Sequence, residues 1–126
     1  MKRFALYQLP LIIYAVIVFY VSSLSRLPDT GLQIPFMDKL AHCTEYFLFG
    51  FMAIRAMAHL PWSLKTGWVY ILAILLSLGY GLSDEYHQRF VPGRTADIFD
   101  FMADALGIFL AGITHYLLQR RRRTPS

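Results

Sequence analysis

The chain of 126 residues is 56% hydrophobic and 16% charged, with a mean hydropathy of +0.45. A soluble domain of this length cannot bury so much apolar surface, so the composition excludes an ordinary water-soluble protein and predicts a one-domain membrane protein, residues 1–126. The net charge of +4 does not predict nucleic-acid binding, because the basic run Arg120 to Arg123 directly follows an apolar stretch, as residues that orient a membrane helix do.

Four apolar segments predict four membrane-spanning helices, over about residues 4–24, 38–58, 67–88 and 96–118. The first segment is longer than the apolar region of a signal peptide, and three more follow it, so we expect a retained helix. At the start of the second segment, Asp38 suits the N-cap position of a helix.

The connections between the predicted helices are short. Arg26 to Met37 contains prolines and a glycine and predicts irregular structure, and Val91-Pro92-Gly93 predicts a turn before the last helix. The single cysteine, Cys43, excludes an internal disulfide and suits a small packing residue.

Charge is divided between the two ends of the predicted bundle. The end that carries both termini has eight basic and no acidic residues: Lys2, Arg3, Arg55, Lys65 and Arg120 to Arg123. The opposite end has all eight acidic residues and four basic ones: Arg26, Lys39, Arg89 and Arg94. Because basic residues favour the cytoplasmic side, we predict an all-α, four-helix transmembrane bundle with its N and C termini in the cytoplasm.

Polar side chains recur with helical spacing near the outer ends of three predicted helices, where ionisable groups are costly and often functional. They are Asp38, His42 and Glu45 on the second helix, Asp84, Glu85, His87 and Gln88 on the third, and Asp97, Asp100 and Asp104 on the fourth. We predict that these faces line one outward-opening polar pocket, with Lys39 and Arg94 as counter-charges.

The same residues fit several chemistries. The pairs His42-x-x-Glu45 and Asp84-x-x-His87 have the residue types of metal sites inside helix bundles, although their order matches only loosely. His87 or Glu45 could serve as a general base while Arg94 and Lys39 hold a phosphate or carboxylate head group. A proton or cation path along the fourth helix is a further alternative.

Each feature also has a purely structural interpretation. Asp38 and Asp97 suit helix caps, and Arg94 suits an interfacial charge whose stem lies in the apolar layer. The buried acids and histidines could form only a network that joins the helices. The sequence assigns no metal or cofactor.

Two motifs resemble those of the VanZ-like family. They are Asp38-Lys39-x-x-His42-x-x-x-Tyr46 and Ser83-Asp84-Glu85-x-His87-Gln88-x-Phe90-Val91-Pro92-Gly93-Arg94, followed by Asp100 and Gly107. The resemblance extends from Ser22 to about Gly112 and implies a multi-pass protein of the bacterial cytoplasmic membrane, associated with low-level resistance to the glycopeptide teicoplanin. Where the family usually has asparagine, this chain has Asp104.

We therefore predict an envelope protein whose pocket engages a lipid or cell-wall-related ligand. Its predicted reactive or ligand-orienting centre is His42, Glu45, Asp84, Glu85 and His87, and its predicted ligand-binding residues are Lys39, Gln88, Arg94, Asp100 and Asp104. The alternatives are an intramembrane hydrolase or transferase acting on a lipid head group, with or without a metal, and a small proton or cation pathway.

Overall fold

A computed structural model describes residues 1–25 and 36–123, and over these residues the chain is helical without a strand. Most of the connection predicted from Arg26 to Met37 lies outside the described residues. The helices are α1 (Leu9–Ser23), which continues from a π-helical segment (Phe4–Gln8), α2 (Met37–Ala58), α3 (Thr66–Gln88) and α4 (Ile98–Arg123).

Two helix starts test the predicted caps. The prediction for Asp38 was wrong, because α2 begins at Met37 after Phe36, whose φ of 67° is left-handed, and Asp38 lies in the first turn. Asp97 does cap α4, since its Oδ1 accepts a hydrogen bond of 2.9 Å from the backbone N–H of Phe99.

Hydrogen bonds between helix ends establish the up-and-down order of the bundle. Gln8 joins the start of α1 to the end of α2 through Ala56 O (2.9 Å), and Tyr70 joins the start of α3 to the end of α4 through His115 (2.9 Å). The other end contains the C-terminal turns of α1 and α3 and the N-terminal turns of α2 and α4. We call this the polar end, and the end with Gln8 and His115 the basic end.

The central helix of the bundle is α2, which packs against α1, α3 and α4. Its buried side chains form the core with residues of the other helices: Val18, Tyr46, Phe49, Ala53, Ile54, Val69, Ala73, Ile108 and Ala111. The backbones of α2 and α4 come closest at Gly107, where a Cβ would lie 2.1 Å from the carbonyl oxygen of Cys43. This approach requires glycine and fixes the register of the two helices.

Within the part of the chain that the structure describes, three helical segments are long and apolar enough to cross a membrane: Phe4–Ser23, Thr66–Gln88 and Ile98–Arg122. These segments expose many large apolar side chains, as helices in contact with lipid do. The predicted span over residues 38–58 does not meet the same measure. The reason is its composition, because α2 carries charged and polar residues among its apolar ones.

Candidate functional site

A histidine and a buried aspartate from different helices meet at the polar end. The side chain of Asp104 on α4 is fully buried, and its Oδ1 lies 2.9 Å from Nδ1 of His42 on α2. Nε2 of the same imidazole lies 3.9 Å from Oδ2 of Asp100, one turn earlier on α4. A neutral imidazole that donates from Nδ1 to Asp104 keeps its lone pair at Nε2, directed toward Asp100.

Helix α3 adds two buried carboxylates. Glu85 accepts a hydrogen bond from the backbone N–H of Asp97 at 3.2 Å, through Oε2. Asp84 accepts from the Tyr46 hydroxyl at 3.3 Å and from the Gln88 amide at 3.4 Å, in both cases through Oδ2. Polar side chains of α2, α3 and α4 therefore contact one another at the polar end.

Each of three buried carboxylates at the polar end has one oxygen without a hydrogen-bond partner among the described residues. The atoms are Asp84 Oδ1, Glu85 Oε1 and Asp104 Oδ2. A buried acceptor without a partner costs about 1–3 kcal/mol, and more when it is charged. Bound protons, water, a cation or a donor group of a ligand would remove this cost.

Lys39 is the basic residue of this cluster. Its ammonium contacts Asp38 and Asp97, each at 3.1 Å, and lies closest to Asp100. Since an ammonium has three donors, these carboxylates leave little capacity for the predicted contact with an anionic head group. The Phe99 N–H and then Lys39 lower the pKa of Asp97, which stays charged at the rim.

We call the residues that meet from α2, α3 and α4 the acidic cluster; its members are Lys39, His42, Tyr46, Asp84, Glu85, Gln88, Asp97, Asp100 and Asp104. Within it, His42, Glu85 and Asp100 each offer one ligand atom, and the three atoms lie within 4.8 Å of one another. The sequence spacing suggested the pairs His42–Glu45 and Asp84–His87 as metal ligands. The structure instead brings His42 together with Glu85 and Asp100.

The structure places His87 and Arg94 against α1 instead of in the acidic cluster. Nε2 of His87 lies 3.0 Å from the Ser23 hydroxyl. The Arg94 guanidinium donates to the backbone oxygens of Val21 (3.2 Å) and Leu24 (3.1 Å) at the C-terminal end of α1, where Val21 O also accepts from the Leu24 N–H. Glu45 is half-buried, and the Tyr14 hydroxyl donates to its backbone oxygen at 3.1 Å.

One residue that shapes the cluster carries no polar group and was not assigned from the sequence. At Gly81 on α3, a Cβ would lie 3.1 Å from the Tyr46 ring and 3.6 Å from Asp104 Oδ2. The missing side chain therefore leaves the space in which Tyr46 and Asp104 meet. In the sequence, the signal for this position is the pair of glycines Gly79 and Gly81 in the third apolar segment. Such small residues predict close contact between helices but not which side chains meet there.

The sequence model of the VanZ/LLP1 family matches residues 3–119. The chain belongs to this family. A protein of Schizosaccharomyces pombe described as uncharacterized is 30% identical over 121 residues, which cover 95% of this chain and 70% of that protein. No solved structure matches the chain. The family membership confirms the resemblance seen in the two motifs.

Within the VanZ/LLP1 family, the resemblance leads us to expect asparagine where this chain has Asp104. An asparagine carbonyl can accept the same hydrogen bond from His42 Nδ1, so the orientation of the imidazole does not require a carboxylate. What the carboxylate adds is Oδ2, a buried oxygen without a hydrogen-bond partner among the described residues. Compared with an asparagine, Asp104 therefore adds acceptor capacity, and negative charge when ionised, at the centre of the cluster.

Proposed function

We propose that this VanZ/LLP1 protein spans the bacterial cytoplasmic membrane four times and engages a lipid or cell-wall-related ligand at its polar end. The observation that carries the proposal is the convergence of His42, Glu85 and Asp104 from three helices, with carboxylate oxygens that are buried and have no partner among the described residues. A network that only joined helices would be expected to satisfy its own acceptors, because each buried acceptor without a partner weakens the fold.

In this proposal α2 is the fourth span, despite its composition. It has 22 residues, which extend about 33 Å, and the hydrocarbon layer is about 30 Å thick. Polar residues are tolerated inside a membrane where a helix faces other helices, as α2 does. The basic residues near Gln8 and His115 favour the cytoplasm for the basic end, so the polar end faces outward.

The chemistry of the acidic cluster favours a particular class of ligand. Its acidic side chains outnumber Lys39 and His42, so a bare anion would be repelled. A ligand that enters directly therefore presents hydrogen-bond donors or positive charge, as an amine- or hydroxyl-bearing head group does, to Asp84, Glu85 and Asp104. At the rim, Arg94 remains the candidate for contact with an acidic part of the same ligand.

Lipid identification tests the proposal directly. The full chain is purified in mild detergent, and its bound lipids are identified by mass spectrometry. We expect one lipid class to be enriched over its share of the membrane, to be lost from Glu85→Gln, and to be retained by His59→Gln at the basic end. The same bound lipids in all three proteins would refute a ligand site in the acidic cluster.

The proposed influence on glycopeptide susceptibility rests on the family resemblance. A deletion strain complemented with the wild-type gene is expected to recover its teicoplanin susceptibility and envelope lipid profile. Alanine variants are then tested at Asp84, which belongs to the acidic cluster, and at Glu45, His87 and Arg94, which lie outside it. If all four restored the wild-type phenotype, these side chains would have only a structural role.

A second candidate function is an intramembrane hydrolase or transferase acting on a lipid head group. The specific observation that favours it is the His42–Asp104 pair, because a carboxylate that orients an imidazole is a common arrangement for a general base. Purified protein should then turn over a member of an envelope-lipid panel and lose this activity in His42→Gln. The absence of turnover across the panel would rule out this candidate function. The proton or cation pathway is a separate prediction that this experiment does not test.

A further inference from the structure

We propose that His42, Glu85 and Asp100 bind a divalent transition-metal ion, of the Zn²⁺ or Mn²⁺ type, at the polar end. The proposal deepens the proposed function and rests on it for the role of the ion. The metal would bring positive charge to the acidic cluster and would let the cluster take a phosphate- or carboxylate-bearing head group as its ligand.

The geometry is close to that of a metal site. Each of the three residues comes from a different helix, and their ligand atoms lie within 4.8 Å of one another. Two ligand atoms that are each about 2.1 Å from a tetrahedral ion are about 3.4 Å apart, so the widest pair would need to close by up to about 1.4 Å. We expect rotation of the His42 and Glu85 side chains to supply this movement.

The remaining polar atom of each ligand residue is already held by another group. His42 Nδ1 is bound to Asp104, Asp100 Oδ1 to Lys39, and Glu85 Oε2 to the backbone N–H of Asp97. These contacts leave His42 Nε2, Asp100 Oδ2 and Glu85 Oε1 for an ion. Such outer contacts, above all a carboxylate on the far nitrogen of a histidine, are typical of metal sites.

Independent support comes from the unpartnered oxygen of Glu85. Glu85 is 6% exposed, and its Oε1 has no hydrogen-bond partner among the described residues. This oxygen belongs to one of the three residues that offer ligand atoms. A coordinated ion would satisfy it, whereas Lys39, which is occupied by Asp38, Asp97 and Asp100, does not reach it with a hydrogen bond or ion pair.

The donor set indicates the kind of ion. One imidazole nitrogen and two carboxylate oxygens suit Zn²⁺ or Mn²⁺, while Ca²⁺ takes six to eight oxygen ligands and soft ions prefer sulfur. Three protein ligands leave at least one coordination position open. That position would accept an oxygen of a head-group phosphate or carboxylate and explains how an acid-rich cluster could receive an anionic ligand.

The test uses the full chain in detergent after removal of metal with a chelator. Zn²⁺ and Mn²⁺ are titrated separately by calorimetry, and the metal content is measured by mass spectrometry. We expect one ion per chain for one of these metals. The affinity should fall at least about a hundredfold in His42→Ala and Glu85→Gln, and about tenfold in Asp104→Asn, which keeps the acceptor for His42.

His87→Gln is the matched control, because it removes a histidine from the same end of the bundle that is bound to Ser23. It should bind metal as the wild type does. The metal site would be refuted by a wild type without stoichiometric metal, or by equal losses in His42→Ala and His87→Gln. If the wild type bound no metal but still carried the lipid that Glu85→Gln loses, the proposed function would stand without the ion.

Circular dichroism and gel filtration show whether each variant is folded. If His42→Ala does not fold, the metal affinity of Asp104→Asn is compared with that of the wild type instead. This variant should fold, because its carboxamide oxygen can still accept the hydrogen bond from His42 Nδ1. Unchanged metal affinity in a folded Asp104→Asn, together with unchanged affinity in Glu85→Gln, would place any bound metal elsewhere in the chain.

Discussion

Asp104 combines complete burial with only one satisfied oxygen. Its Oδ1 is bound to His42, and its Oδ2 lies near the gap left by Gly81 without a partner among the described residues. The carboxylate orients the imidazole through Oδ1. Its Oδ2 needs a hydrogen-bond donor or a cation from outside the described residues. If the proposed ligand site is correct, stability and ligand binding are therefore coupled at this side chain.

Replacement of Asp104 by a residue without an acceptor is expected to destabilise the bundle. Asp104→Leu would leave His42 Nδ1 buried without a partner, at a cost of about 1–3 kcal/mol, whereas Asp104→Asn keeps the hydrogen bond and should lose less. Thermal unfolding in detergent measures the difference. Asp38→Asn, at an exposed carboxylate, is the control and should unfold with the wild type; equal losses in Asp104→Leu and Asp104→Asn would contradict the argument.

At the scale of the elements, spacing predicted which helices carry polar faces but not which neighbour each face meets. Glu85 and His87 are two residues apart, which is about 200° around a helix, so they point in nearly opposite directions. Glu85 faces α4 and His87 faces α1. This separation depends on where α1 packs in the bundle. The sequence of α3 alone does not contain that information.

The contact between α2 and α4 should be sensitive to one methyl group. In Gly107→Ala the new Cβ would meet the Cys43 carbonyl at 2.1 Å, so the helices must separate, at a cost of about 1–3 kcal/mol. Gly112→Ala on the same helix is the control, because its Cβ would meet Ile74 at 3.8 Å, an ordinary contact. Unfolding temperatures should fall only in Gly107→Ala, and equal stability of the two variants would be evidence against this close approach.

The end of α1 is expected to loosen when its polar contacts are removed. Ser23 and the last carbonyls of α1 are held by His87 and Arg94. In the double variant His87→Ala, Arg94→Ala, hydrogen exchange over residues 18–24 should rise about a hundredfold, since three hydrogen bonds of about 1 kcal/mol each are lost. Arg89→Ala, whose guanidinium lies over the Tyr86 ring, is the control. Unchanged exchange in the double variant would show that apolar contacts hold α1 alone.

For the whole molecule, composition and periodicity were enough to predict an all-helical bundle and the three most apolar helices. They also predicted the convergence of polar faces, because His42, Asp100 and Asp104 share an end of the bundle whatever the details of packing. The division of charge between the ends predicts the orientation in the membrane, which depends on the bilayer and the insertion machinery as well as on the fold.

Labelling of introduced cysteines tests this orientation. In a Cys43→Ser background, Thr95→Cys, in the connection between α3 and α4 at the polar end, should react in intact cells with a maleimide that does not cross the membrane. Ser63→Cys, in the connection between α2 and α3 at the basic end, should react only after permeabilisation. Both positions are exposed, so access is limited by the membrane alone. The reverse pattern would invert the proposed topology.

The charged, central position of α2 has a consequence for the assembly of the protein during synthesis. On its own, α2 brings Lys39, Glu45 and Arg55 into the membrane with only Asp38 as an ion-pair partner for Lys39, which opposes stable insertion. The groups that neutralise Lys39 and orient His42 lie mainly on α4, which the ribosome makes after α1, α2 and α3. We therefore expect α2 to insert stably across the bilayer only when α4 arrives, so the polar end would form only after all four helices have been made.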